Sequence, residues 1–287
     1  MNVTLADNNY GKERVRLVKV ERGAGGRHTL RDLTVSLRLT GEFTVAHVAG
    51  DNAEILPTDT MRNTVYGFAA EGPLGASEEF AARLAEHLLA SGPEVTGARV
   101  AVEERPWRRL EVGGAAHPHA FEAAAERHTA EAWRGRDGGW TEGGIADLVL
   151  LKTSGSGFAG FRRDRWTTLR DTADRILATR LAARWRYAAP AAGERIDYAG
   201  SHRVARQLLV DTFAAHRSRS LQHTLYAMAE AVLEGRPELS EIHLSLPNIH
   251  HVPFDLSPLG MQNRDEVFVA LPEPHGLIEA TVRRAGA

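Results

Sequence analysis

Cysteine is missing from all 287 residues, and that absence removes disulfides, thiolate nucleophiles, Fe–S clusters and cysteine-ligated zinc together. Chemistry is left to Lys, His, Thr, Asp or Arg, or to a bound cofactor. No apolar run approaches the roughly 18 residues that suggest a membrane-spanning helix. The opening MNVTLADNNYGKE lacks the cationic-then-apolar order of a secretory leader, and the closing RRAGA carries no peroxisomal or retention tripeptide. The expectation is a cytoplasmic chain with no membrane partner. An excess of either charge is missing too: 35 Lys plus Arg stand against 37 Asp plus Glu. No global field recruits nucleic acid or an anionic surface, so partners must be recognised locally. The chain is 43% hydrophobic and 25% charged, ordinary for a globular protein. Its length suits one large domain or two medium ones.

The clearest positive signal is internal similarity. LAEHLLASGPEVTGARVAVEERPW, from Leu84, resembles MAEAVLEGRPELSEIHLSLPNIH, from Met228, so that Ala85, Glu86, Leu89, Pro93 and Glu94 fall on Ala229, Glu230, Leu233, Pro237 and Glu238. The offset is close to half the chain. Each copy reads as an amphipathic helix, a Gly/Pro turn and an alternating strand, with Val95, Val100 and Val102 matched by Leu239, Leu244 and Leu246. Upstream of the first copy, RVRLVKV and LRDLTVSLRLTG flank GAGG as a hairpin, and TDTMRNTVYGFAAE reads as helix. Upstream of the second, IADLVLLKT and LATRLAARWRY are partner strands, and ARQLLVDTFAAHRSRSLQHTLYAMAEAVLE is a longer helical stretch. The reading is an α+β chain of two ββααββ units, residues 1–143 and 144–287, with antiparallel strands and helices on one face.

In YGKERVRLVKV, period two puts Val15 and Leu17 on one face and Lys12, Arg14 and Arg16 on the other. That face meets water, or Lys12 ends the strand at a site needing an amine. SGSGFAGF contains a literal G-x-G-x-x-G at Gly155, Gly157 and Gly160, but FRRDRW follows without a helical period. A turn that projects Phe158 over something flat fits better than a dinucleotide loop. His117 with His119, and His250 with His251, invite a metal reading, yet no carboxylate cluster accompanies either pair. Thr58 and Asp59 look like helix caps, at an N-terminus that also offers N–H groups to an anion. Arg175 and Gln222 would together suit an anionic heterocycle, through a guanidinium fork and an amide that donates and accepts.

Taken in order, YGK-x-x-VR, TDT-x-x-NT, LKTSGSGFAGF, TTL-x-x-T-x-DRILAT, LQ-x-TLYAM, SLPN-x-HH with DLSP, and GLIEATV resemble the urate oxidase family from Tyr10 to Val282. The resemblance implies two tandem tunnelling-fold units per chain and a homotetramer whose sheets close into a barrel-like tunnel, with active sites shared between subunits. It implies oxidation of urate by dioxygen to 5-hydroxyisourate and hydrogen peroxide, without metal, flavin or other cofactor. By motif position Lys12 is the catalytic lysine, Thr58 relays its proton and His250 completes the network. The resemblance also implies that Arg175 and Gln222 grip the urate edge, Phe158 stacks on its face, backbone N–H groups near Asp59 and Leu221 complete the hydrogen bonds, and Asn248 lies over the ring. Ile249 stands where many relatives have Lys, Trp166 replaces a common Tyr, Ala159 replaces an aromatic, and Pro253 suggests an edge or bulge after His251. With no peroxisomal tripeptide, a bacterial cytoplasmic form is expected. The competing readings are another tunnelling-fold purine or pterin enzyme and a non-catalytic purine-binding protein.

Overall fold

Strands of alternating Val and Leu build the core of this protein, whose structure, a computed structural model, describes residues 3–190 and 194–286. The chain divides into two compact units, Met1–Gly144 with Arg186–Ala199, and Ile145–Trp185 with Gly200–Ala287.

In the first unit β1 (Tyr10–Arg22) and β2 (His28–Gly41) form the expected hairpin. The chain then runs through α1 (Thr44–Ala49), α2 (Thr58–Glu71) and α3 (Ser77–Leu89) to β3 (Val95–Arg105). A small hairpin of β4 (Trp107–Val112) and β5 (Ala115–Ala123) leads to β6 (Arg127–Gly135). The sheet order is β1-β2-β3-β6, antiparallel throughout. One face of it presents Leu33, Val35, Leu37, Leu39, Val100 and Val102, and these meet Met61 and Val65 of α2 and Phe80, Leu84 and Leu88 of α3. Burying each such side chain stabilises by roughly 1.5–3 kcal/mol before the entropy of ordering is counted.

The second repeat has the same plan. Strands β7 (Gly138–Lys152) and β8 (Leu177–Tyr187) precede α4 (Tyr198–Ala215) and α5 (Leu221–Gly235), followed by β9 (Leu239–Pro247). A two-stranded antiparallel ribbon of β10 (His250–Pro253) and β11 (Phe268–Leu271) comes before β12 (Leu277–Arg283). The order here is β7-β8-β9-β12. Helix α5 packs on β9 and β12, and Leu225, Met228 and Val232 of the helix and Ile242, Leu244 and Leu246 of β9 are buried. The stretch read as one long helical run breaks at residues 216–220. There Ser218 leaves the helix to bridge Ser156, and the Ser220 hydroxyl caps α5 by accepting from the His223 N–H. Pro253 ends β10, where a missing N–H costs least. Among the described residues, no helix is long and apolar enough to cross a membrane.

Candidate active site

The glycine-rich turn after β7 is a backbone clasp and opens no helix. Gly157 N–H donates to the Ser218 carbonyl at 2.9 Å, and Ser218 N–H to Gly155 O at 2.9 Å. Phe158 exchanges both backbone bonds with Thr172, at 2.8 and 2.9 Å, and Arg175 N–H donates to Ser156 O at 2.6 Å. A Cβ on Gly157 would press on the Ala173 and Thr172 carbonyls, so the second glycine is needed for close approach. Three segments are thereby laced together: the turn carrying Phe158, the stretch carrying Arg175, and the residues leading into α5.

Arg175 holds its guanidinium carbon 5.3 Å from the Phe158 ring centroid, and Phe158 stacks on Phe161 at 4.9 Å with an interplanar angle of 10°. The Arg175 Nε is buried and, among the described residues, has no hydrogen-bond partner. Burial pulls its pKa below the ordinary guanidinium value, as desolvation disfavours the charged form. Leu221 and Gln222 are the first two residues of α5, a position that leaves backbone N–H groups open. Gln222 is exposed.

Asn248 and His250 reach the same region from the other side. Asn248 N–H donates to Gly276 O at 2.8 Å, Ile249 N–H to Ala178 O at 2.9 Å, and the Thr179 hydroxyl to Pro247 O at 2.9 Å. The Asn248 amide lies 3.4 Å from His250 Nδ1. Arg175, Asn248 and His250 line one open pocket of about 510 Å³, with His251, Asp174 and Phe268. Asp174 stands beside Arg175 in TADR, and nothing in the sequence sets it apart there. His251 turns its Nδ1 to the Ile249 carbonyl at 3.1 Å.

In the first unit Lys12 is not where period two puts it. Lys12 pairs with Leu37 but Val15 with Val35, so Glu13 and Arg14 together oppose Ser36. This is a one-residue β-bulge, with Arg14 at φ 57° and its N–H on Ser36 Oγ at 3.1 Å. Directly opposed residues share a face, so Lys12 lies on the side of Leu37, Val15 and Leu17, the side covered by α2. Arg16 stays on the other, paired with Asp32 at 2.6 Å. Tyr10 Oη accepts from Leu56 N–H at 3.0 Å and Lys19 Nζ donates to Ala69 O at 2.7 Å, which sets Lys12 toward the start of α2.

Neither Thr58 nor Asp59 caps that helix. Pro57, extended at φ −56° and ψ 138°, holds the cap position without a side-chain bond, and Thr58 already stands inside the first turn. The Asp59 carboxylate instead meets Arg62 at 2.7 Å and the Asn63 amide at 3.0 Å. The first-turn N–H groups therefore stay open at an electropositive helix end. Away from these residues, His117 and His119 stack edge to face at 4.7 Å on β5. Among the described residues, no group of three or more His, Asp or Glu could hold a metal ion.

Three comparisons bear on this arrangement. The family model described as Uricase matches residues 8–132 and 141–279. Uricase of Arthrobacter globiformis is 45% identical over 286 residues, covering 99% of this chain and 91% of that protein. Uricase of Dictyostelium discoideum is 38% identical, covering 98% of each. The fold matches the crystal structure of the Arthrobacter globiformis uricase with a TM-score of 0.93 at 44% identity, over 100% of this chain and 97% of that one. It also matches urate oxidase from Bacillus sp. TB-90 with a TM-score of 0.82 at 24% identity, over 96% of this chain and 100% of that one, a likeness of fold alone. One family model spanning both halves, with relatives aligned along nearly the whole length, establishes that this chain belongs to the uricase family.

Proposed function

We propose that the chain is a urate oxidase, converting urate, dioxygen and water to 5-hydroxyisourate and hydrogen peroxide on its own side chains, without a metal or organic cofactor. Two electrons pass from urate to dioxygen and one oxygen of water enters the purine. The observation that carries the reading is Arg175, a guanidinium with a buried, unpartnered Nε set beside an aromatic ring. A flat anion with acceptors on its edge supplies what that group lacks. Arg gives charge and parallel donors in one plane, which Lys could not.

In this reading Arg175 and Gln222 grip the urate edge, Phe158 stacks on its face, and the N–H groups of Leu221 and Asp59 complete the hydrogen bonds. Asn248 stands over the ring where dioxygen or water sits. Lys12 takes a proton from Thr58, and through it from urate or water, with His250 completing the relay. Removing protons makes urate the stronger electron donor, which the sluggish triplet dioxygen requires. Lys12, Thr58 and Asp59 come from one repeat and the other residues from its partner repeat, so we assign the site to two chains related by a two-fold axis within a homotetramer. The repeat boundary at 143/144, the barrel-like tunnel and the cytoplasmic setting belong to the same proposal.

The test is an assay of urate absorbance with oxygen uptake and peroxide release, run on exhaustively chelated protein. Stoichiometric urate loss, oxygen uptake and peroxide release are expected at undiminished rate. Binding without turnover would favour the purine-binding alternative, and recovery of lost activity by added metal would end the cofactor-free reading.

A further inference from the structure

Asp174 precedes Arg175 and shares the wall of its pocket. A carboxylate there is at first sight out of place, because like charge disfavours a bound anion. Among the described residues Asp174 forms no ion pair. Its oxygens are occupied by the chain itself: Oδ2 accepts from the Ser154 hydroxyl at 2.6 Å, and Oδ1 from the N–H groups of Ser156 at 3.0 Å and Arg175 at 3.1 Å. These bonds, the Ser154 hydroxyl first, hold the carboxyl below its usual pKa. The two segments it joins are those that carry Phe158 and Arg175, and neither segment lies within a helix or a named strand. With its oxygens so engaged, Asp174 makes no bond to the neighbouring guanidinium among the described residues, and Arg175 lines the pocket beside it.

We propose that Asp174 is a positioning residue, which clasps residues 154–156 to 174–175 and so presets the Arg175 guanidinium for the purine anion before it arrives. This rests on the reading of the pocket as the urate site. The clasp works through hydrogen-bond acceptance and against its own charge. That separates it from a general electrostatic role, because Asn can keep an acceptor for both N–H groups and turn its amide to Ser154, whereas Ala keeps nothing.

The experiment measures urate kinetics, and calorimetric affinity for 8-azaxanthine as a non-oxidisable purine-shaped anion, in Asp174→Ala and Asp174→Asn, each alone and with Arg175→Ala. Asp174→Ala should raise KM and the analogue Kd by about tenfold or more, with a smaller fall in kcat, as misplacement of a binding group does. Asp174→Asn should stay within about threefold of the parent, since its acceptor survives. With Arg175 already Ala, adding Asp174→Ala should change the Kd by less than about twofold, because coupled residues are not additive. Parental affinity in Asp174→Ala, Asn as damaging as Ala, or an undiminished effect without Arg175 would each overturn the proposal. Should Asp174→Ala fail to fold, Ser154→Ala removes one of the three bonds and should weaken the analogue by about two- to tenfold, the scale of one hydrogen bond; unchanged affinity there overturns it as well. A parent protein that neither binds nor oxidises urate sinks the functional reading instead, whereas an active parent matched by Asp174→Ala sinks only this inference.

Discussion

Lys12 reaches the helix side of its sheet because one residue too many stands between it and Val15. The bulge is bought with a left-handed Arg14 at φ 57°, a conformation that costs of order 1–3 kcal/mol for a non-glycine residue. Such strain persists where something depends on it. Lys12→Met should therefore lower turnover by about 10²-fold or more, the usual scale for losing a general base, while 8-azaxanthine binding stays near parental. Turnover within a few-fold of the parent would make Lys12 a strand end and nothing more. Arg175→Ala has the opposite signature. It should weaken urate and analogue together by at least about tenfold, as loss of a charged hydrogen bond of roughly 1.5–3 kcal/mol implies, and an unchanged analogue Kd would remove Arg175 from the site.

At the scale of elements, the hairpin and the start of α5 each carry residues of the proposed site. A Cβ on Gly11 would overlap the Leu37 carbonyl, so β1 could not keep its place beside β2 at the residue before Lys12. Gly11→Ala should destabilise the protein by about 1–3 kcal/mol, the range for overpacking, and cut turnover more than stability alone explains. A melt and a rate indistinguishable from the parent would refute that account. Ser220 caps α5 through the His223 N–H at 3.1 Å. Its replacement by Ala should cost about 0.5–2 kcal/mol, read as a lower denaturation midpoint. The extent of α2, Thr58–Glu71, was legible as TDTMRNTVYGFAAE. The break before α5 was not, because HRSRS at 216–220 holds no Gly or Pro to mark it. What ends α4 is the pairing of Ser218 with Ser156, a partner far away in the sequence.

For the whole molecule, the proposed site joins a first repeat to a second repeat from another chain. Thr58→Ala and Arg175→Ala proteins, each nearly inactive, should then rescue one another when unfolded together and reassembled. With random pairing across a two-fold interface, about a quarter of sites regain both side chains. Hybrids proven by mass that stay at parental activity would show that each pocket is built within one chain. The sequence by itself determined the repeat, the α+β class, the main strands and helices of each repeat and the ordered motifs, though not α1 or the β4–β5 and β10–β11 ribbons, because periodicity and turn chemistry are local properties written into neighbouring residues. Tertiary structure alone decided which face Lys12 occupies, since a single bulge inverts a period-two reading. It also decided that Asp174 is engaged by backbone N–H groups while, among the described residues, the buried Arg175 Nε meets no acceptor. Both follow from the meeting of segments distant in the chain, and no pattern confined to one segment encodes its partner.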